Sequence, residues 1–376
     1  MRLCCIFNIP SLYREAIYLS LDHNYNCDWY FEQMNKEGIA IFDTSKLKSV
    51  HFLNHKKVVG RFYRMQGLSR QIWKHKEIDG YLMIGSPMCL SLWLLCILVK
   101  IFRPQKKIYF WTHGWYGKET RLERLVKKAF LKLADELFIY GDYATNLLIK
   151  EGFKKEKLHA IHNSLSYNEQ LSIRKQIETS SIYYDHFGNN QPVIIFIGRL
   201  TPVKKLDMIL DALDCLNKRG LRYNLVFVGD GPEKGHLIKK VDDYQLNSQV
   251  WFYGACYDEK TNAELVYNAD LCVAPGNIGL TAIHVLMFGC PAITHNDFAH
   301  QMPEFEAIHP GITGNFFKRD SVNSLVETIA TWLQNDTRSR AEIRNNCYRE
   351  IDELWNPCYQ MKIFNQVLNN ANNITN

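Results

Sequence analysis

The sequence predicts an α/β protein built on parallel strands, and three observations carry that prediction. Val193 to Ile197 is a continuously apolar run with no in/out alternation, the pattern of a strand covered on both faces. Leu206, Ile209, Leu210, Leu213 and Leu216 then form the one-sided stripe of a helix that Gly220 can stop. The same strand, loop and helix unit recurs along the chain, whose 376 residues suffice for two domains with separate cores.

In the N-terminal half, Leu3 to Asn8 reads as the first strand. Ser11 is placed to cap a helix from Leu12 to about Leu21, with Tyr13, Ile17 and Leu21 at helical spacing. Tyr13 and Arg14 would then lie at the strand's carboxyl end, where open α/β sheets bind ligands. The alternative for Arg14 is a surface arginine paired with Glu15 or Asp22. Cys27 to Lys57 does not resolve into elements, although pieces such as Ile39–Phe42 could be strands. Arg61 to Lys76 could be a helix, and Tyr81 to Ile84 reads as a strand. Met88 to Val99, too short to span a bilayer, reads as a buried helix or, as the lesser alternative, one that dips into a membrane, with Ser86 as cap and Pro87 as first helical residue.

Lys107 to Trp111 is the next strand, and it ends in the glycine-flanked aromatic loop around His113. Aromatic faces and an imidazole suit a sugar; the alternative is a histidine bonded to loop backbone. The helix from Arg121 to about Asp135 carries Arg121, Arg124, Lys127, Lys128 and Lys132. It reads either as a membrane contact through 121–133 or as a solvated face over a core stripe of Leu122, Leu125, Val126, Ala129, Phe130 and Leu133. Glu136–Tyr140 and Leu158–Ile161 are strands on either side of a helix from Tyr143 to Glu151. Tyr167 to Gln191 is polar and reads as a helical linker.

In the C-terminal half, Arg199 and Lys204 follow the apolar strand and precede its helix. Two cations there make an anion pocket; the alternative is a pair of solvated surface charges. Asn224–Val228 is a strand followed by the turn Gly229-Asp230-Gly231-Pro232, whose glycines admit a ligand or another backbone. The next glycine, Gly235, is one place late for a dinucleotide fingerprint. Val250–Gly254 is a strand, and Tyr257 in the loop after it is either a stacking platform or a packing aromatic. Leu271–Ala274 leads through Pro275–Leu280 into a helix to about Phe288. The amides of Gly279, Leu280 and Thr281 at that helix start could hold a phosphate without a charged side chain. Helices over Ser321–Leu333 and Tyr359–Leu368 complete the chain.

Gly198-Arg199-Leu200 with Lys204, then Gly229–Pro232 and Ala269–Pro275, resemble the diphosphate-binding half of the group 1 (family 4) retaining glycosyltransferases. The likeness is strong over about half the chain. It implies a GT-B fold, two Rossmann-like domains facing each other across a cleft. Residues 1–166, completed by 356–376, would form the acceptor-side domain, with the last helix crossing back to it. Residues 167–191 would be the linker and 192–355 the nucleotide-sugar-binding domain. The resemblance puts Arg199 and Lys204 on the leaving diphosphate and His113 against the donor sugar. Arg14 is an acceptor-side candidate by its strand-end position alone, because related transferases often carry a glycine-rich turn here and this chain does not. Gly231, Tyr257, Gly279, Leu280 and Thr281 would lie around the nucleotide.

One departure matters. The family usually carries two glutamates separated by seven residues, and alignment on Gly279 brings those positions to Gly276 and His284. Neutral His284 can still hydrogen-bond a ribose hydroxyl. Asn277, or Glu304 in a Pro-Glu pair common in the family, could supply the sugar contact, and His295 follows the next strand.

The expectation is a hexosyltransferase in cell-surface polysaccharide synthesis. It would move a sugar from a nucleoside diphosphate sugar to a hydroxyl of a glycan or lipid-linked glycan. Retention comes from the family alone. No Asp-x-Asp motif occurs, so neither a metal nor another cofactor is expected. The net charge of +6, without an arginine-rich motif, gives no reason to expect nucleic acid. Eleven scattered cysteines with no Cys-x-x-Cys point to a reducing cytoplasm, with the inner face of the membrane as a possible workplace. A nucleotide-sugar 2-epimerase on the same fold and a non-catalytic scaffold remain as alternatives, the second motivated by the missing glutamates.

Overall fold

Eight strands build the first sheet: β1 (Arg2–Phe7), β2 (Asn26–Gln33), β3 (Val50–Val59), β4 (Phe62–Met65), β5 (Gly80–Ile84), β6 (Lys107–Thr112), β7 (Glu136–Ile139) and β8 (Leu158–Ala160). The computed structural model describes residues 1–33, 40–73, 75, 77–335 and 337–372. Strand order is β4-β3-β2-β1-β5-β6-β7-β8, parallel throughout except for the β3/β4 hairpin. Short helices cover both faces. Leu68–Trp73, Leu90–Phe102, Arg121–Leu131 and Asp142–Lys150 share one core with Ile6, Met83 and Phe110. Glu15–Asn24 and the C-terminal helix Pro357–Asn372 share the other with Trp29, Leu82 and Trp111. In that second core Phe364 lies 5.3 Å from Trp111 and 4.3 Å from Phe138, ring to ring. Tyr25 donates to Asn365 at 2.7 Å. The chain thus forms one unit from Met1–Ser166 with Asn356–Asn376 and another from Tyr167–Trp355.

Four expectations for the first unit need correction. The helix over Arg61–Lys76 is a strand followed by a short helix: β4 pairs antiparallel with β3 through a turn at Gly60, and the helix among the described residues is Leu68–Trp73, with Lys74 and Lys76 outside them. Tyr63 stacks on His55 across that hairpin at 4.7 Å, a cross-strand pair that favours the sheet. Ser11 does not cap a helix. Leu12–Arg14 is a 3-10 turn, and the regular helix starts at Glu15. Ser86 and Pro87 do not start the next helix either, because Tyr63 N donates to Met88 O at 3.0 Å and ties that segment to β4. The helix begins at Leu90 and reaches Phe102, buried along one flank only: Leu94, Ile97, Ile101 and Phe102 are exposed. Of the tentative strand at Ile39–Phe42, Ile39 lies outside the described residues, and Ile41 makes one isolated bridge to Ser11.

The second unit holds β9 (Val193–Ile197), β10 (Asn224–Val228), β11 (Val250–Gly254), β12 (Leu271–Ala274), β13 (Ala292–His295) and β14 (Gly314–Phe317). They form one parallel sheet in the order β11-β10-β9-β12-β13-β14. This is the Rossmann order, and the buried apolar runs of β9, β10 and β12 are its centre. The segment read as a linker folds as two helices, Tyr167–Arg174 and Ile182–Phe187, that belong to this unit. Gln170 donates to Glu259 at 2.8 Å, and Tyr183 to the Leu265 carbonyl at 2.6 Å.

Strand order reverses between β9 and β12 in the second unit and between β1 and β5 in the first. Open sheets bind ligands at the carboxyl ends of the strands beside such a reversal.

Candidate active site

At the β9/β12 reversal three loops are knitted together through backbone. Gly198 N donates to Val228 O, and Leu200 N to Asp230 O, both at 2.9 Å. A Cβ on Gly229 would sit 1.9 Å from the Gly198 carbonyl oxygen, and one on Gly231 2.3 Å from that of Leu200. Both glycines have positive φ, and both serve backbone approach between loops. Gly276 is held the same way: its N donates to Lys204 O at 2.9 Å, and a Cβ there would meet Val203 O at 2.0 Å. A glutamate side chain has no room at this position.

Lys204 is the polar centre of this site. Its Nζ donates to the main-chain O of Asn277 at 2.7 Å and to Asn277 Oδ1 at 3.0 Å. Burial pushes its ammonium down to about 8; Glu304 opposes that shift and Arg199 adds to it. Arg199 itself is exposed and makes no ion pair among the described residues. Thr281 Oγ1 donates to Ile197 O at 3.0 Å, which fixes the start of the helix Thr281–Met287 beside β9. The amides of Gly279 and Leu280 find no acceptor among the described residues. Glu304 is buried in the 3-10 turn Pro303–Ala307.

Two residues that the sequence did not single out organise the rest. Gln301 accepts from Ile278 N at 3.0 Å and donates to Thr294 Oγ1 at 2.8 Å, bracing the phosphate-side loop. Glu259 lies 2.9 Å from His284 Nε2. Burial works to raise the Glu259 carboxyl, but bonds from His284, Gln170 and Asn262 hold it below its ordinary value. A carboxylate therefore stands beside the position that lost one. Tyr257 is 96% exposed, so it is not a packing aromatic. His295 is buried, its Nδ1 accepts from Asp297 N at 3.2 Å, and burial with Arg319 pushes it down to about 4.

In the first unit, the β1/β5 reversal opens into a cavity of about 630 Å³ whose walls include Arg14, Trp111, His113 and Tyr140. Arg14 is not a surface arginine. It donates to Tyr140 Oη at 2.5 Å and Tyr18 Oη at 3.3 Å, while Glu15 pairs with Lys46 and Asp22 accepts from Trp29. His113 makes no hydrogen bond to loop backbone among the described residues, and its Nδ1 is buried without a partner. Its ring lies 4.7 Å from that of Tyr140. Burial, then Arg14 and Lys127, push the imidazole down to about 3, so it is neutral at pH 7. Glu119 fastens the aromatic loop by accepting from Tyr116 N and Gly117 N, each at 2.9 Å, and from Lys127 at 2.8 Å.

The basic helix Arg121–Leu131 starts with a capping box of Thr120 and Glu123. Its expected core stripe is only partly in the core. Phe130 is buried, whereas Leu122 and Leu125 are exposed. Arg124 and Lys128 both pair with Glu151. No helix among the described residues is long and apolar enough to cross a membrane.

Residues 185–350 match the family model described as Glycosyl transferases group 1. The second unit is a group 1 glycosyltransferase domain. The amylovoran biosynthesis glycosyltransferase AmsD of Erwinia amylovora is 25% identical to the chain over 177 residues, 47% of each. The GDP-mannose-dependent alpha-(1-6)-phosphatidylinositol dimannoside mannosyltransferase of Mycobacterium tuberculosis is 33% identical over 106 residues, 27% of each. The matches thus span about half or less of these relatives' own length. HepE from Anabaena, solved with UDP and also with UDP-glucose, superimposes with a TM-score of 0.73 at 16% identity. That match covers 98% of this chain and 100% of HepE, and the shared architecture is the GT-B fold. The glycosyltransferase domain thus carries the knitted loops around Lys204 at its strand-order reversal.

Proposed function

We propose that the chain transfers a sugar from a nucleoside diphosphate sugar to a hydroxyl of a glycan or lipid-linked glycan in polysaccharide synthesis. The observation that carries this reading is Lys204, half-buried at the strand-order reversal and fastened to Asn277 beside the amides of Gly279 and Leu280. Bond breaking leaves negative charge on the diphosphate. Lys204, Arg199 and those amides would stabilise it in a partly dehydrated site without a metal ion. The leaving phosphate oxygen would accept the acceptor's proton, with retention of configuration. His113, neutral, would orient the sugar by hydrogen bonding, with Arg14 on the acceptor side. Glu259 and His284 together would meet the ribose hydroxyls in place of the missing glutamate. The likeness to AmsD, a glycosyltransferase of amylovoran biosynthesis, supports a place in polysaccharide synthesis, and HepE favours a uridine nucleotide. The exposed leucines and basic residues of Arg121–Leu131 would rest on the inner face of the membrane.

Arg199→Ala combined with Lys204→Ala is expected to lower kcat/KM by about a thousandfold and weaken UDP binding. Unchanged turnover and affinity would reject the assignment.

A second reading is favoured by one observation, the backbone contact that leaves no space for a side chain at Gly276. It is a nucleotide-binding scaffold without turnover. UDP binding without sugar transfer to any acceptor, by a folded protein, would support it.

A further inference from the structure

The first-unit cavity has more positive charge than its own carboxylates neutralise. Its walls hold Arg14, Arg61, Lys118 and Lys127 against Glu119 and Glu123. Both carboxylates are already engaged: Glu119 pairs with Lys127 at 2.8 Å, and Glu123 with Arg61 at 3.5 Å. Lys118 lies over the Tyr116 ring, and Arg14 meets no carboxylate among the described residues.

Arg14 is the anomaly. It is only 7% exposed, and its hydrogen bonds go to the neutral phenols of Tyr18 and Tyr140. Its Nε is buried with no acceptor, as is the indole Nε1 of Trp111 on the same wall. The rings of Trp111 and Tyr140 lie 5.3 and 5.7 Å from the guanidinium carbon and offset part of the burial. A buried cation still strongly favours a counter-charge. A planar guanidinium matches a carboxylate or phosphate oxyanion at two points, and flanking aromatic rings present the faces on which sugars lie.

We propose that this cavity accepts an acidic sugar, a glycan acceptor whose carboxylate or phosphate pairs with Arg14. The proposal rests on the transferase reading and adds the charge class of the acceptor. The oxyanion supplies the missing counter-charge, Lys118 adds attraction, and a neutral sugar leaves the guanidinium uncompensated. Arg14 is an acceptor-binding residue in this account.

The test is isothermal titration of the whole chain with methyl glucuronide, glucose 6-phosphate, methyl glucoside and inorganic phosphate, with UDP titrated in parallel. At least one acidic sugar should bind about tenfold more tightly than the glucoside, the worth of one charge-assisted contact. Whether the carboxylate or the phosphate wins identifies the oxyanion. Arg14→Gln should abolish the preference and leave UDP affinity unchanged. Equal affinity for neutral and acidic sugars, or no binding of either acid while UDP binds, overturns the proposal and leaves the transferase reading intact. Inorganic phosphate binding as tightly as the acidic sugars overturns it as well. Loss of UDP binding in the wild type would instead reject the transferase reading. If Arg14→Gln does not fold, the wild-type preference decides alone.

Discussion

The two strand-order reversals of this chain are built from different materials. In the second unit, backbone meets backbone at Gly198, Gly229, Gly231 and Gly276, and the half-buried ammonium of Lys204 is held by Asn277. In the first unit, side chains from distant positions surround a cavity, and the buried guanidinium of Arg14 has only phenols as hydrogen-bond partners among the described residues. The difference shows how each half can select. A backbone-built site is rigid and fits a constant group such as a diphosphate. A side-chain-built site can change its specificity one residue at a time.

The comparison can be broken most sharply at Gly276. Gly276→Ala drives a Cβ into the Val203 carbonyl, so we expect about 3 kcal/mol of destabilisation together with loss of UDP binding. Thermal melting and titration check both; a neutral result would mean that the loop is not rigid.

A pH series separates the two half-buried bases, His113 and Lys204. The His113 imidazole is lowered to about 3 from its ordinary 6.5, so between those values the unfolded chain binds the extra proton. Stability should fall as pH drops from 6.5 to 5, by up to about 2 kcal/mol, and His113→Gln should flatten that slope. Lys204 is lowered to about 8 from 10.5, so it is charged at pH 7 and loses its charge as pH rises through 8. UDP affinity should then weaken by up to about tenfold per pH unit above 8, and Lys204→Arg should remove that dependence. Denaturant melts and titrations from pH 5 to 9.5 read the two separately.

The smallest expected effect concerns the outer surface. Sedimentation with anionic vesicles should retain the wild type and lose about half of that retention in Leu122→Ser with Leu125→Ser. Equal retention of the two would remove membrane contact from this helix.

Legibility in the sequence follows the same division. The centre of the second sheet was readable because β9, β12 and Leu225–Val228 of β10 are unbroken apolar runs, and the glycine turns stand where the chain turns. The β3/β4 hairpin was not readable. β3 is mostly exposed and carries His51, Asn54, His55, Lys56 and Lys57, so no apolar period marks it as a strand. The cavity was half readable. Position at strand ends marked Arg14 and His113, but Tyr140 is 126 residues from Arg14, and only the sheet order brings them together. Glu259 escaped notice for the same reason: nothing local ties it to His284, 25 residues away.

The C-terminal helix has a consequence for how the protein is made. Phe364 completes the core around Trp111 and Phe138, yet a ribosome synthesises it after the whole of Tyr167–Trp355. The segment translated second is contiguous and can close as soon as it emerges, while the segment translated first must wait with that aromatic surface open. Nascent-chain folding should therefore run against the order of synthesis, and the early half is the one that a chaperone would have to guard.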